Sequence, residues 1–569
     1  MSTYRKGRRT ARPRRRPRLL MTGGLLAGSL VVGAAGVSGV AATAGERELP
    51  LLDAVQVASF LSGDDAGRQH RDDADSRRGE RSGDGAGRPE GRYGDGRDGR
   101  HDDGPGTGRH PVLKVPCDAD KLVAALEKVN AQGGGSLRLA PKCTYTLTEA
   151  FDQPDDYDGG ITDARQAADS AENAGGAAEN PAGAAQNPAG APVSPGATQS
   201  PAAAPANPGA AAETPGGTAT TPGDAEAPAY NPADDKAGLP AIYQPITIDG
   251  AGATIERDEH AEDFRFLTVR DGGELFLRDV ELRNGRSKID GGAVYIVHGA
   301  TAVIERVTVV RNTSLSAEGG GGGIFNDGNL VATDVGFFDN DAAGTAGKGG
   351  GLLNGGVLTL RDATFRHNSA KAYGGGFGNY RGAADVEDAV LVDNSAKQGG
   401  GMASFSARTK VLDTKVLGNS AEVGGGIANS DAVIVLRGMT IRDNSATVKG
   451  GGISTFQGLL PLDDSVVAGN TTDGLGGGIH AEKSNLLVRG SDVAGNEATG
   501  ATSKGGGIYA TAGKVSVFTS KVVGNRSTEK PGGLFVERAQ VQVDDESVIR
   551  GNDPTNCAGS AVPVENCFR

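Results

Sequence analysis

The chain has 569 residues and a formal net charge of −13, with 92 glycines, 15 phenylalanines, 10 tyrosines and no tryptophan. Aspartate and glutamate outnumber lysine and arginine by 71 to 58, which argues against nucleic-acid binding because phosphate contacts need a positive surface. Glycine far exceeds the ~7% of ordinary proteins, so the chain is either low-complexity or a repeat with glycine at a fixed place in each unit.

Residues 1–44 are predicted to be a signal peptide. Residues 5–18 are rich in Arg and Lys, residues 19–40 are small and apolar, and Ala42-Thr43-Ala44 supplies a cleavage pattern. An uncleaved membrane anchor is the alternative, and the export route, Sec or twin-arginine, stays open. Export would make the protein secreted or cell-surface associated, with no membrane contact once the signal is removed.

Low-complexity segments divide the remaining chain. Residues 45–110 are predicted to be a disordered charged linker, because they contain too little apolar surface to fold. Residues 111–152 are predicted to form an N-terminal cap and first coil, and 153–238 a disordered insertion rich in Ala, Pro and Gly. Residues 239–569 are predicted to form the main repeat domain. A domain boundary at 153–238 is the alternative to an insertion.

One short helix is predicted in the cap. Asp118 is a suitable N-cap, and apolar residues follow it at helical spacing: Leu122, Ala125, Leu126 and Val129. A helix here would cover the open end of a solenoid, whose exposed strands otherwise recruit other chains.

The four cysteines form two pairs at opposite ends of the predicted folded region. In an oxidising space, Cys117–Cys143 and Cys557–Cys567 are predicted to be disulfides that clip the two ends. A four-cysteine metal site would require the ends of a rod to meet. No metal or other cofactor is predicted.

Glycine clusters and asparagines recur in register beyond residue 284. The clusters end at Gly323, Gly351, Gly376, Gly401, Gly426, Gly452, Gly478, Gly507 and Gly533. The asparagines are Asn312, Asn340, Asn368, Asn394, Asn419, Asn444, Asn470, Asn496, Asn525 and Asn552. Each asparagine follows its cluster by 17 to 19 residues, whereas 7 to 11 residues lead to the next cluster. One arc of the repeat is therefore fixed and one loop is variable.

This pattern predicts an all-β fold, a single-stranded right-handed parallel β-helix of about 10–12 coils with the capping helix and two disordered segments. The period of 25 to 29 residues, with apolar residues at strand spacing, is typical of such a coil. Equivalent residues would stack about 4.8 Å apart, and the asparagines would pair their amides as a ladder.

The paired motifs, for example GGGIFND with FFDN and GGGIANS with VLGN, resemble those of the polymorphic outer membrane protein family. The resemblance covers roughly residues 246–552 and implies a β-helix with an adhesin-like role. No run of alternating membrane strands follows Asn552, so we expect an exported member of this type without the autotransporter barrel.

Three aromatic residues occupy the fourth position after a glycine cluster: Tyr380, Phe405 and Phe456. If they point outward, they form a column that stacks sugar rings. The alternative, which we prefer from sequence, is an internal aromatic stack that packs the solenoid.

No catalytic residue is predicted. Two pairs of adjacent acids occur, Asp463-Asp464 and Asp544-Asp545. Neighbours on a strand point to opposite faces, so each pair has one outward carboxylate, whereas glycoside hydrolysis needs two carboxylates that converge. Asp339, Asp393 and Asp443 are interpreted as solvated turn residues.

The sequence therefore favours a non-catalytic exported β-helix repeat protein whose extended surface serves adhesion, with a polysaccharide or cell-surface component as partner. The alternative is a carbohydrate-active enzyme, a polysaccharide lyase or glycoside hydrolase of the pectin-lyase-like type. An outward cluster of three or more charged residues in one groove would favour that alternative. The oligomeric state is left open.

Overall fold

The computed structural model describes residues 112–152 and 232–567. These residues form a right-handed solenoid of parallel strands with about 13 turns and one α-helix, which confirms the predicted fold class. The turn number slightly exceeds 10–12, because the first turns lack the glycine clusters and ladder asparagines that mark the repeat. The predicted signal peptide, charged linker and most of the insertion lie outside the described residues. Residues 232–238, the end of that insertion, belong to the fold and include a 3-10 helix, Pro232–Asp234.

Strands at equivalent places in successive turns pair in parallel and form three long faces, here named sheets A, B and C. Sheet A follows the glycine clusters and contains Leu267–Val269, Val294–Ile296, Ile324–Asn326, Leu352–Asn354, Phe377–Tyr380, Met402–Phe405, Ile427–Ser430, Ile453–Phe456 and Leu534–Val536. Sheet B contains Leu113–Lys114, Gly135–Arg138, Asn329–Thr333, Val357–Arg361, Ala383–Glu387, Arg408–Leu412, Val433–Arg437, Leu459–Asp463 and Gln540–Val543.

Sheet C precedes the ladder asparagines and contains Thr144–Leu147, Gly336–Phe338, Thr364–Arg366, Val390–Val392, Lys415–Leu417, Thr440–Arg442, Val466–Ala468, Asp492–Ala494, Lys521–Val523 and Val548–Arg550. Five longer strands run from one face into the next. Pro245–Arg257, Glu274–Arg283 and Thr301–Val310 join sheets B and C, and Ile479–Arg489 and Ile508–Phe518 join sheets A and B.

Short strands after the ladder asparagines form two further small sheets. They are Arg286–Ser287, Thr313–Ser314, Asp341–Ala342 and Ser369–Ala370 in the first, and Ser420–Val423, Ser445–Lys449, Thr471–Thr472, Glu497–Ala498 and Arg526–Ser527 in the second.

Each glycine cluster lies where the coil closes on itself. In Gly424-Gly425-Gly426, the first glycine has a φ of 64°, a left-handed conformation that costs glycine little. A Cβ on Gly425 would overlap the carbonyl oxygens of Ser445 and Gly451 on the next turn. Backbone conformation and close backbone contact together explain why the motif is glycine at each turn.

The asparagine ladder is buried and continuous. Asn419 Nδ2 donates to Asn444 Oδ1 at 2.9 Å and to the Leu391 carbonyl oxygen at 3.0 Å. Its Oδ1 accepts from the backbone N and the Nδ2 of Asn394 at 2.9 and 3.0 Å. Four hydrogen bonds thus satisfy the Asn419 side-chain amide, as a buried polar group requires.

Apolar residues fill the interior as the repeat predicts. The first residue after each glycine cluster and the residue three before each ladder asparagine are buried, for example Ile427, Val416 and Ile441 at 0% exposure. Phe337 and Phe365 stack inside the core with ring centroids 4.6 Å apart. Columns of equivalent residues therefore form one core along the solenoid.

Both ends of the solenoid are closed. The predicted helix is Ala119–Ala131; Asp118 caps it by accepting from the Lys121 backbone N at 3.0 Å, and its buried face packs on the first coil. The disulfides Cys117–Cys143 and Cys557–Cys567 are present, with Cα–Cα distances of 5.6 and 6.2 Å.

The asparagine ladder is also capped at its C-terminal end. Asn556 Oδ1 accepts from Asn552 Nδ2 at 3.0 Å and so replaces the asparagine of a further turn.

Across residues 112–152 and 232–567, no helix has the length and apolarity needed to cross a bilayer.

Candidate ligand-binding surface

Sheet A has two columns of outward side chains. The first and third residues of its strands face the core, so the second and fourth face outward. The second-position column is bulky at its ends and small in the middle: Tyr295, Phe325, Leu353, Gly378, Ala403, Ala428, Ser454, His480, Tyr509 and Phe535. Aromatic side chains of the fourth position occupy the surface beside this small stretch.

Two of these rings, Tyr380 and Phe405, form an aromatic cluster with Tyr373, and all three are half-buried. The Phe405 centroid lies 4.4 Å from that of Tyr373 and 6.4 Å from that of Tyr380. Lys348 Nζ and the Arg381 guanidinium carbon lie 5.1 and 5.4 Å from the Tyr380 centroid, within cation–π range. The structure therefore brings two of the three predicted stacking residues together. Tyr373, immediately before a glycine cluster, was missed.

Phe456 lies apart from this cluster. Ser430 occupies the equivalent position between Phe405 and Phe456. Phe456 is also outward and half-buried, with Lys483 Nζ 5.9 Å from its centroid. The rings at these positions thus lie on the outer surface, and the internal stack that the solenoid does contain uses other residues.

A second, more deeply buried ring stack lies towards the C-terminal end of sheet A. His480 stacks on Tyr509 with centroids 5.4 Å apart, and Tyr509 stacks on Phe535 at 4.8 Å. A Lys449–Glu482 ion pair of 2.7 Å lies nearby. Burial, with a further contribution from the Lys449 charge, lowers the pKa of His480 to about 3. The imidazole is therefore neutral at physiological pH, and its role here is packing.

Sheet B presents a charged strip on its outer face. Its members are Arg361, Asp385, Glu387, Arg408, Lys410, Arg437, Asp463, Arg489 and Lys514. Six cations thus face three acids, on a chain whose net charge is −13. The sequence reasoning missed this strip because its residues come from seven different turns.

Two of the three acids in the charged strip are held by arginines. Arg361 Nε lies 3.2 Å from Glu387 Oε2. Arg489 binds the Asp463 carboxylate with both Nε and Nη2, at 3.0 and 2.7 Å. Asp463, one of the adjacent Asp463-Asp464 pair, is only 1% exposed, so its carboxylate is taken up by this contact.

The remaining acid, Asp385, pairs in register with Lys410 on the next turn. Burial raises the pKa of Asp385, and Arg361 partly opposes this effect. Burial also lowers the pKa of Lys410, and the Arg437 charge lowers it further.

The other predicted acids lie at turns. Asp464 lies exposed at a turn with a φ of 48°. Asp339 and Asp393 flank His367, each with an oxygen 3.6 Å from a different ring nitrogen. In the part of the chain that the structure describes, no group of three or more His, Cys, Asp and Glu is arranged to hold a metal ion.

A second polar ladder inside the solenoid was also missed. Asn326 Nδ2 donates to Asn354 Oδ1 at 2.7 Å, and Asn354 Nδ2 donates to Asn379 Oδ1 at 2.9 Å. Asn379 Nδ2 then donates to Thr409 Oγ1 at 2.9 Å. The signal was an asparagine three residues after a glycine cluster. This second ladder joins successive turns at the corner between sheets A and B.

Comparison with known proteins adds little to this geometry. No protein-family model matches the chain, and no curated protein matches it significantly. Among solved structures, the chain is similar to the A-module of a mannuronan C-5 epimerase from Azotobacter vinelandii. The TM-score is 0.29 and the identity 11%, over 80% of this chain and 100% of that module. A similarity of this size supports no argument about activity.

Proposed function

We propose that this protein is an exported, non-catalytic β-helix that binds a glycan through the aromatic cluster of sheet A. The observation behind the proposal is the half-buried group Tyr373, Tyr380 and Phe405 on the outer surface of a regular solenoid. Rings that are held in place yet partly exposed bind the apolar faces of sugars at small entropic cost.

The neighbouring cations support this assignment. Arg381 is exposed beside Tyr380 and supplies donors for sugar hydroxyl groups, whereas Lys348 is only 6% exposed and packs against the same ring. The Lys348 ammonium group also donates to the Glu318 carbonyl oxygen, which fixes its position. An adhesin-like role of the polymorphic outer membrane protein type, with export by the N-terminal signal and a cell-surface glycan as partner, is consistent with this surface and forms part of the proposal.

Alanine substitution of the rings tests the proposal. Tyr380→Ala and Phe405→Ala should each weaken binding to an insoluble polysaccharide about tenfold or more, as expected for aromatic anchors. Phe338→Ala is the matched control, because Phe338 is a half-buried ring on the outer face of sheet C. Binding is measured by depletion from solution, with circular dichroism to confirm folding. Equal losses in all three variants, or no binding to any glycan by the parent, would contradict the proposal.

A second candidate function is chemistry on an acidic polysaccharide, favoured by the paired Asp385 and Lys410 with their shifted pKa values. In this reading one group removes a proton from the sugar and the other returns one, while Arg361 or Arg437 holds the carboxylate. Return of the proton to the glycosidic oxygen breaks that bond and leaves a shorter chain with an unsaturated end, whereas return to the same carbon from the opposite face inverts its configuration. Incubation with polyuronates, followed by ultraviolet absorbance, reducing-end assay and NMR, detects each. Product that disappears in Asp385→Asn and Lys410→Ala would establish this function and displace the non-catalytic one.

A further inference from the structure

We infer that the charged strip of sheet B binds a linear carboxylated polysaccharide that lies along the solenoid axis. The inference rests on the proposed glycan-binding function. It adds a second binding surface, separate from the aromatic cluster, and it predicts that the ligand is negatively charged.

The first support is the segregation of charge between turns and sheet. Residues at the turn from sheet B to sheet C adopt a left-handed conformation, which aspartate tolerates better than most residues. Exposed aspartates therefore collect there, with φ between 47° and 55°: Asp334, Asp362, Asp388, Asp413 and Asp464. Backbone geometry explains this acidic column without a ligand. No such geometry explains the excess of cations on the adjacent face of sheet B in the seven turns from Arg361 to Lys514. Earlier turns, which carry Asp249, Glu274 and Glu305 at equivalent positions, show no such excess.

The second support is that arginines of the charged strip already pair with two of its acids, while other arginines remain exposed. Glu387 and Asp463 are engaged by Arg361 and Arg489, so they do little to repel an incoming anion. The Arg437 side chain is 51% exposed and lies 3.9 Å from Asp463, and Arg408 is exposed on the same face. The strip therefore offers outward guanidinium groups on separate turns.

The third support is an apolar floor between these cations. The other outward positions of the strands that carry Arg437, Asp463 and Arg489 are apolar: Val433, Val435, Leu459, Pro461 and Leu487. Val433, Leu459 and Leu487 are half-buried, so part of their apolar surface is open to a ligand, whereas Val435 and Pro461 are buried beneath their neighbours. A floor of this kind suits the apolar faces of sugar rings, and the flanking cations suit their carboxylates.

Spacing and geometry favour a carboxylated polymer. Successive turns are about 4.8 Å apart, close to the length of one sugar residue in an extended chain. Successive sugars would thus meet equivalent positions on successive turns. Arginine binds carboxylate in a bidentate fork, and the Arg489–Asp463 contact shows that geometry within the strip.

The test compares charge reversal on two faces of the same turns. Arg408→Glu with Arg437→Glu changes sheet B, and Lys415→Glu with Arg442→Glu changes sheet C of those turns by the same charge. Lys415 and Arg442 are exposed. Titration calorimetry of the full chain with a soluble polyuronate should show an affinity that falls with salt concentration. The sheet B variant should bind about tenfold more weakly or worse, and the sheet C variant within about twofold of the parent.

Several outcomes would overturn the inference. These are equal weakening by both variants, tighter binding to a neutral polysaccharide than to the polyuronate, or equally tight binding to a DNA duplex of similar charge. Neutral-glycan binding that depends on Tyr380 would remove this inference and leave the proposed function intact. No binding to any glycan would remove both. Thermal unfolding of both variants identifies a loss that comes from misfolding, and a more conservative Arg408→Gln then replaces the reversal.

Discussion

Removal of one asparagine from the middle of the ladder should cost far more stability than its small side chain suggests. Asn419→Ala deletes the four side-chain hydrogen bonds to Asn394, Leu391 and Asn444. At about 1 kcal/mol of net stability each, the loss is about 4 kcal/mol. The buried Asn394 N–H and Leu391 carbonyl are then left without those partners, which adds to the cost.

The adjacent residue supplies the control. Ser420 is exposed, and its backbone N donates to the Asn394 carbonyl oxygen in any variant. Ser420→Ala should therefore change the free energy of unfolding by less than about 0.5 kcal/mol. Guanidinium unfolding followed by far-ultraviolet circular dichroism measures both. A difference between Asn419→Ala and Ser420→Ala below about 1 kcal/mol would refute the view that the ladder stabilises the solenoid.

Asn419→Asp separates hydrogen bonding from shape. The new carboxylate keeps the two acceptor contacts with Asn394 but places an acceptor against the Leu391 and Asn444 oxygens. We expect burial and these oxygens to raise its pKa above the unfolded value of about 3.9. A raised acid pKa means that stability is lost as pH rises above about 4, so this variant should be closest to the parent in acid and weakest near pH 7. Unfolding curves at pH 4 and 7 decide the point.

Three further predictions follow from burial and covalent structure. Gly425→Ala should cost about 3 kcal/mol or prevent folding, because the new methyl group overlaps the Ser445 carbonyl oxygen, and the yield of folded protein and its unfolding midpoint test this. His480→Phe should flatten the pH dependence of stability: the parent loses up to about 1.4 kcal/mol per pH unit as pH falls from about 6.5 towards 3, since only unfolded His480 takes up a proton there. An unchanged pH profile in urea unfolding would contradict that assignment. Replacement of Cys117 and Cys143 by serine should cost about 3–4 kcal/mol for a loop of 26 residues, and hydrogen exchange should show the loss first in the capping helix; uniform exchange across the solenoid would oppose a local role.

The repeat could be recognised in the sequence because each position that recurs from coil to coil has a local physical cause. Glycine is required where the backbone is left-handed and in close contact, asparagine where a buried amide must bond to both neighbouring turns, and apolar residues where strands face the core. The spacing between these positions is set by strand and turn lengths within one coil. Fold class, capping helix, disulfides and ladder could therefore be predicted from residues near each other in the chain.

The aromatic cluster and the charged strip are formed by residues from different coils. The sequence of one coil does not show which of its side chains lie beside those of the next coil. Tyr373 and Phe405 meet because a variable loop places one beside the next turn, and Asp385 lies beside Lys410 only after the register of sheet B is known. The outward positions of a strand carry no strong constraint from the core, so their pattern gives little signal in one coil. Tertiary structure alone decided which outward side chains meet, because stacking joins residues about 25 positions apart into one surface.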